Sequence, residues 1–204
     1  LLKHVQFKSM MGSLPRKNPL LQNLHSRQIA SIPCRYGQYW IWDEVEFYIW
    51  HPHENFLFER EYSSKPNEMS CVLEVRNKNS SLWLTGDVEK QGEAEMTDRL
   101  DSQTLSALGK RELIFMAPHH GSKTSSSAEL LAGLSPDFAF AQNGYRNRYG
   151  HPHPTVTARY ESLGIPFFQT PKTGAQIWFF GDQSKSGLKK IFWREESNRL
   201  WHRP

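Results

Sequence analysis

The chain has 204 residues, 38% of them hydrophobic and 23% charged, enough for one sizeable domain with its own core. No stretch approaches the ~20 consecutive apolar residues of a membrane-spanning helix, and Leu1 leads into mixed polar sequence without the apolar core of a signal peptide. A net charge of +4 and a pI near 9.1 are compatible with a phosphate-rich partner without requiring one; alone they describe an ordinary solvated surface.

Residues 1–33 lack periodicity and carry Pro15, Pro19 and Pro33, which predicts loops with a short helix or strand. Trp40-Ile41-Trp42 and Val45 to Trp50 flank a polar Asp43-Glu44 break and predict a hairpin, stopped by Pro52. Cys71 to Val75 and Ser81 to Leu84 form two apolar segments joined by a turn-like Asn77-Lys78-Asn79-Ser80. Gln91 to Leu100 is polar, with Ala94, Met96 and Leu100 spaced for one helical face. Leu113 to Met116 is a short strand ending at Pro118-His119-His120-Gly121.

Beyond it the alternation is regular. A helix is expected over Ser126 to Leu134, a buried strand over Asp137 to Ala141, and a helix over Pro154 to Leu163, opened by proline and ended by Gly164. Strands follow at Phe167 to Thr170 and Ala175 to Phe180. This order predicts an α/β layered domain over residues 1–180. Residues 181–204 form a basic tail interleaved with Phe192, Trp193 and Trp201; it reads either as a solvated end or as a surface that stacks on single-stranded nucleic acid. The two cysteines, Cys34 and Cys71, have no metal-type spacing and are expected as small buried apolar residues rather than as disulfide partners.

Three polar clusters each follow an apolar strand: Leu84-Thr85-Gly86-Asp87, Pro118-His119-His120-Gly121-Ser122-Lys123, and Asn147-Arg148-Tyr149-Gly150-His151-Pro152-His153-Pro154. In layered α/β proteins ligands gather at the carboxyl ends of strands. Singly, each cluster has a structural reading. Asp87 suits the N-cap of the next helix; His119 and His120, on an extended backbone, point in opposite directions; His-Pro-His-Pro makes a stiff loop. Jointly, a carboxylate and imidazoles are ligands for zinc, manganese or iron. Such an ion makes a hydroxide nucleophile near neutral pH, and two of them steady both oxygens of a phosphodiester displacement.

These clusters, taken in order with Asn67, Ser70-Cys71-Val72-Leu73, the continuation through Thr124-Ser125-Ser126, and Gly174-Ala175, resemble the ComEC/Rec2 family of DNA-internalisation proteins of natural transformation. The hairpin from Trp40 to His51-Pro52, preceded by Cys34 and Gly37, is similar to Gram-negative members. The similarity spans residues 30–180. It implies a metallo-β-lactamase-like αββα sandwich with two divalent ions, Mn2+ or Zn2+, between its sheets. Within that resemblance Asp87 corresponds to a metal-bridging aspartate and one of His119 or His120 to a further metal ligand. His151 and His153 correspond to a motif that binds phosphate or shuttles a proton. Ser122, Lys123 and Arg148 are the implied phosphate contacts, although exposed basic residues often make no specific contact.

The superfamily's main ligand motif, His-x-His-x-Asp-His, does not occur in this sequence; before His119 the histidines are His4, His25, His51 and His53. The expectation is therefore a domain incomplete on its N-terminal side, whose metal binding alone is doubtful. The resemblance implies a nuclease that degrades the non-transported strand. It implies as partners single-stranded DNA, the membrane-embedded channel part of the same protein and other competence proteins. The implied location is the bacterial inner membrane, with this domain on the periplasmic side. A non-catalytic DNA- or channel-binding module is the alternative, and another ester or phosphodiester substrate stands third because the same fold hosts several hydrolases.

Overall fold

The structure, a computed structural model, describes residues 7–15, 17–53, 65–180 and 189–197. Strands β1 (Ser9–Gly12) and β2 (Ala30–Pro33) pair in parallel across helix α1 (Pro19–Ser26). Asn18 caps that helix through the amide of Leu20, and Pro19 opens it.

The body is a seven-stranded mixed sheet in the order β3-β4-β5-β6-β7-β8-β9. Its strands are β3 (Tyr39–Trp42), β4 (Val45–His51), β5 (Val72–Arg76), β6 (Ser80–Leu84), β7 (Glu112–Met116), β8 (Phe138–Ala141) and β9 (Phe167–Gln169). β3 to β6 are antiparallel and β6 to β9 parallel. The predicted hairpin is present. Asp43 and Glu44 both take positive φ (46° and 65°), the handedness that matches strand twist in a two-residue turn. Trp40 lies opposite Phe47, their rings stacked 5.1 Å apart with nearly parallel planes, a cross-strand pair that fixes register.

A register shift between Ile49 and His51 breaks the in-out alternation of β4, so Ile49, Trp50 and His51 are all buried. Trp50 stacks on Trp83 of β6 at 5.0 Å. Around this pair the core gathers Val72, Phe115, Leu130, Leu131, Val156 and Tyr160.

Helices supply the crossovers between parallel strands: α2 (Lys90–Thr97) and α3 (Ser102–Leu108) between β6 and β7, α4 (Ala128–Leu134) between β7 and β8, and α5 (Pro154–Ser162) between β8 and β9. α3 is absent from the sequence expectation; the Asp101 side chain caps it by accepting the amide of Thr104 at 2.7 Å. After β9 come a short helix α6 (Thr170–Thr173), then β10 (Gln176–Phe179), β11 (Lys189–Phe192) and α7 (Trp193–Glu196). β10 and β11 form an antiparallel pair, so residues 189–192 of the basic tail are a strand. Phe192 is buried against Phe168, 4.7 Å between ring centres. Trp201 lies outside the described residues.

The expectation for the cysteines is corrected. Cys34 and Cys71 form a disulfide, with Cα atoms 5.9 Å apart. The fold brings the end of β2 against the start of β5, a proximity that a separation of 37 residues does not reveal. The described part is thus a mixed α/β architecture with one seven-stranded sheet and two two-stranded ones.

Candidate functional site

β6, β7 and β8 run parallel, so the three polar clusters that follow them emerge at one edge of the sheet. The first turn places Asp87 just after β6, its amide donating to the Ser70 hydroxyl at 3.2 Å. Asp87 is not the cap of α2. Glu89 occupies that position without a side-chain cap bond, and Glu68, from the 3-10 turn Pro66–Met69 ahead of β5, caps the helix by accepting the amides of Gln91 and Gly92.

The second turn overturns the extended reading of the histidine pair. His119, His120 and Gly121 have consecutive positive φ values of 48°, 56° and 80°. For histidine that region costs roughly 1–2 kcal/mol per residue, and such strain concentrates where side chains must be aimed. Gly121 tolerates it, and its missing side chain makes room for Pro152, since a Cβ there would sit 2.6 Å from the proline Cβ. The His119 amide donates to the Gly86 carbonyl at 3.0 Å and the His153 amide to the Gly121 carbonyl at 2.8 Å. These two bonds lace the three loops together.

The imidazoles diverge but remain neighbours. His120 points its Nε2 at Asp87 Oδ1, 3.5 Å away, and its Nδ1 lies 2.6 Å from the Gln142 carbonyl. A carbonyl oxygen only accepts, so Nδ1 carries the proton and, in the neutral ring, Nε2 keeps its lone pair toward Asp87. His119 lies on the other side. Its Nδ1 is 3.3 Å from Glu89 Oε1 and its Nε2 3.4 Å from the Asn67 amide nitrogen, while Asn67 also donates to Glu89 at 3.2 Å. The rings of His119 and His151 are 5.7 Å apart, those of His119 and His120 6.4 Å.

In the third loop, Asn147 accepts the amide of His151 and donates to its carbonyl. The His151 Nδ1 is buried without a hydrogen-bond partner among the described residues. Desolvation lowers the pKa of His151, reinforced by His119, His120 and His153 and opposed by Asp87. His153 Nδ1 sits at the start of α5, 3.2 Å from the Thr155 amide and 2.8 Å from its hydroxyl, so that nitrogen serves the helix. Ser122 is nearly buried, its hydroxyl 3.1 Å from that of Thr124. Lys123 is exposed, and Arg148 lies over the Tyr149 ring at 4.8 Å.

Of the candidate residues named from the sequence, the structure brings Asp87, His119, His120 and His151 near one another. The sequence reading assigned no role to Asn67, Glu89 or Tyr149. Asn67 and Tyr149 carried a signal as parts of the matching pattern; Glu89 carried none. A zinc site takes three or four protein ligands. Among the described residues no three His, Cys, Asp or Glu are grouped to hold one ion. Asp87 with His120 is a pair of donors, and the described residues do not complete a metal centre.

No family model matches the chain. It is 31% identical over 166 residues to competence protein ComA of Neisseria gonorrhoeae, covering 78% of this chain and 22% of that protein. Recombination protein 2 of Haemophilus influenzae is 31% identical, over 74% of this chain and 17% of its own length. ComE operon protein 3 of Bacillus subtilis is 28% identical, over 85% and 21% respectively. The chain spans about a fifth of the length of the curated relatives it matches. With these matches carried across most of its length, the chain belongs to the ComEC/Rec2 family of competence proteins.

Proposed function

We propose that this chain is the phosphodiester-handling domain of a DNA-uptake protein, acting hydrolytically on the strand that is not taken up. One observation carries the reading: Asp87, His119, His120 and His151 meet at the carboxyl edge of β6, β7 and β8, in loops that also carry Lys123 and Arg148. Cationic side chains there would offset phosphate charge, and His151, whose pKa burial lowers, is a neutral ring able to take a proton at pH 7. His153 has its Nε2 left for phosphate, and Ser122 a hydroxyl. The relatives' names, competence and recombination proteins, support a role in natural transformation.

Of the two adjacent histidines, His120 has the disposition of a ligand, one ring nitrogen donating to a backbone carbonyl and the other aimed at a carboxylate. We extend the proposal to a metallo-β-lactamase-like αββα sandwich. A pair of zinc or manganese ions there would require donors from outside the described residues. The disulfide supports an oxidising compartment, hence the periplasmic face of the inner membrane. No helix among the described residues is long and apolar enough to cross a membrane; the channel part of the protein and other competence proteins are the proposed partners.

A second reading, a non-catalytic module that binds DNA or the channel, is favoured by the missing third ligand among the described residues. End-labelled single-stranded DNA incubated with the chain and with the intact gene product, in Mn2+, Zn2+ or EDTA, separates the two. Hydrolysis requires metal-dependent cleavage by the intact product that Asp87→Ala abolishes. Binding that falls steeply with salt, with no cleavage in any metal, establishes the second reading instead.

A further inference from the structure

The loop between β8 and α5 displays two tyrosines that packing does not explain. Tyr145 is 67% exposed and Tyr149 65%, although buried aromatic rings are among the largest contributors to a core. Each stands beside an arginine: the Arg146 guanidinium is 5.2 Å from the Tyr145 ring centre, and that of Arg148 is 4.8 Å from the Tyr149 centre. Arg148 also donates to the Tyr149 hydroxyl at 2.5 Å. No Asp or Glu occurs between Asp137 and Glu161, so the loop is cationic without local compensation.

The loop is also tied down. Asn147 donates to the Gly144 and His151 carbonyls and accepts the His151 amide. Asn143 donates to the His151 carbonyl and exchanges two bonds with the Thr170 hydroxyl at 3.0 and 2.7 Å. Rings held this way lose little conformational freedom when a ligand covers them. Tyr149 stacks on His151 at 5.8 Å with planes 21° apart, and His151 lies 5.7 Å from His119. A row of rings therefore runs from solvent into the site.

We propose that residues 145–149 are a stacking platform for unpaired bases of single-stranded DNA, with Tyr145 and Tyr149 each receiving a base and Arg146 and Arg148 turning to the flanking phosphates. The proposal rests on the reading that the chain handles DNA, and it names the form of DNA bound. Every base has a π-face, so such a platform is indifferent to sequence. A duplex keeps its bases stacked on one another and has none to offer. Of the tail aromatics expected to stack, Phe192 is buried in the protein, Trp193 is exposed and Trp201 lies outside the described residues; the loop adds two exposed rings beside the site.

The test is fluorescence anisotropy of a labelled oligothymidylate titrated with the full chain, repeated with a duplex of equal length. Tyr145→Ala and Tyr149→Ala are each expected to weaken single-strand binding about tenfold while leaving its salt dependence unchanged. Tyr149→Phe, which keeps the ring, restores affinity. Arg148→Gln is expected to lower the slope of log affinity against log salt by about 0.7 for one lost phosphate contact. Single-strand binding as tight in the double tyrosine variant as in the unaltered chain overturns the platform alone. No binding of DNA by the unaltered chain overturns the DNA-handling reading, and the platform with it.

Discussion

His51 Nδ1 lies 2.9 Å from the carbonyl of Ser70, the residue whose hydroxyl accepts the amide of Asp87. The imidazole is fully buried and wedged under α2, where Gly92 leaves it room: a Cβ at Gly92 would stand 2.9 Å from His51 Nε2. Glu95 Oε2 lies 4.0 Å from the same nitrogen. A histidine distant from the chemistry thus braces the loop that positions Asp87.

That burial has a pH signature. Desolvation pushes the His51 pKa down to about 4 from 6.5, with smaller contributions from Arg99 and His53 and an opposing one from the Ser70 bond. A depressed native value means the folded state binds fewer protons than the unfolded chain, so this stability is present above 6.5 and is lost as pH falls through about 4. The full effect is on the order of 3 kcal/mol. Urea unfolding between those limits is expected to show the loss. His51→Asn, which keeps a donor toward Ser70, should be less stable at pH 7 but flatter across the window. An equally steep decline in that variant would remove His51 as the cause.

The disulfide acts on the same loop, since Cys71 follows Ser70. It closes a separation of 37 residues, for which chain entropy gives about 4 kcal/mol. Cys34→Ser with Cys71→Ser, or reduction by dithiothreitol, is expected to lower Tm by roughly 10 °C for a chain of this size. The Asp87 amide should then exchange faster with solvent, because its acceptor is no longer anchored. Unchanged melting after complete reduction would show that packing alone holds β2 against β5.

The contrast between these loops and the cysteines explains what could be read from the sequence. Strand periodicity located β3 to β10, and the rule that ligands gather at strand ends singled out the loops of Asp87, His119, His120 and His151, because both are local signals. The Cys34–Cys71 bond depends on where the chain returns in space, which two isolated cysteines do not encode. α3 escaped because Ser102 to Leu108 is mostly polar or small, and only the Asp101 cap and Gly109 mark its ends. The left-handed turn at His119-His120 was illegible because histidine has no preference for it; the laced loops impose it. Glu89 and Asn67 matter only through the partner the fold gives them, His119.

Glu93 provides the opposite pH behaviour. It sits on α2 with no solvent exposure, and its carboxylate accepts the amides of Ser126 and Ser127 at 2.5 and 2.7 Å. Ser127, the N-cap of α4, makes no side-chain cap bond of its own, so a carboxylate from a neighbouring helix satisfies those donors. Arg159 donates to the Ser125 and Ser126 carbonyls, and the Tyr160 hydroxyl donates to Ser126 Oγ at 3.1 Å. Glu93→Ala strands the amides in a buried site and is expected to cost about 2–5 kcal/mol. Burial raises the Glu93 pKa above 4.5, more than the bonds from Ser127 and Ser126 and the Arg159 charge lower it. A raised native value means that this group's stability is fully present below 4.5 and declines as pH rises through the native value. Glu93→Gln resembles the protonated acid and does not titrate. Unfolding measured for both proteins over that range should therefore show the wild-type advantage shrinking as pH rises; an advantage that grows would mean that the hydrogen bonds and Arg159 outweigh desolvation, and that Glu93 is held as a stabilised anion.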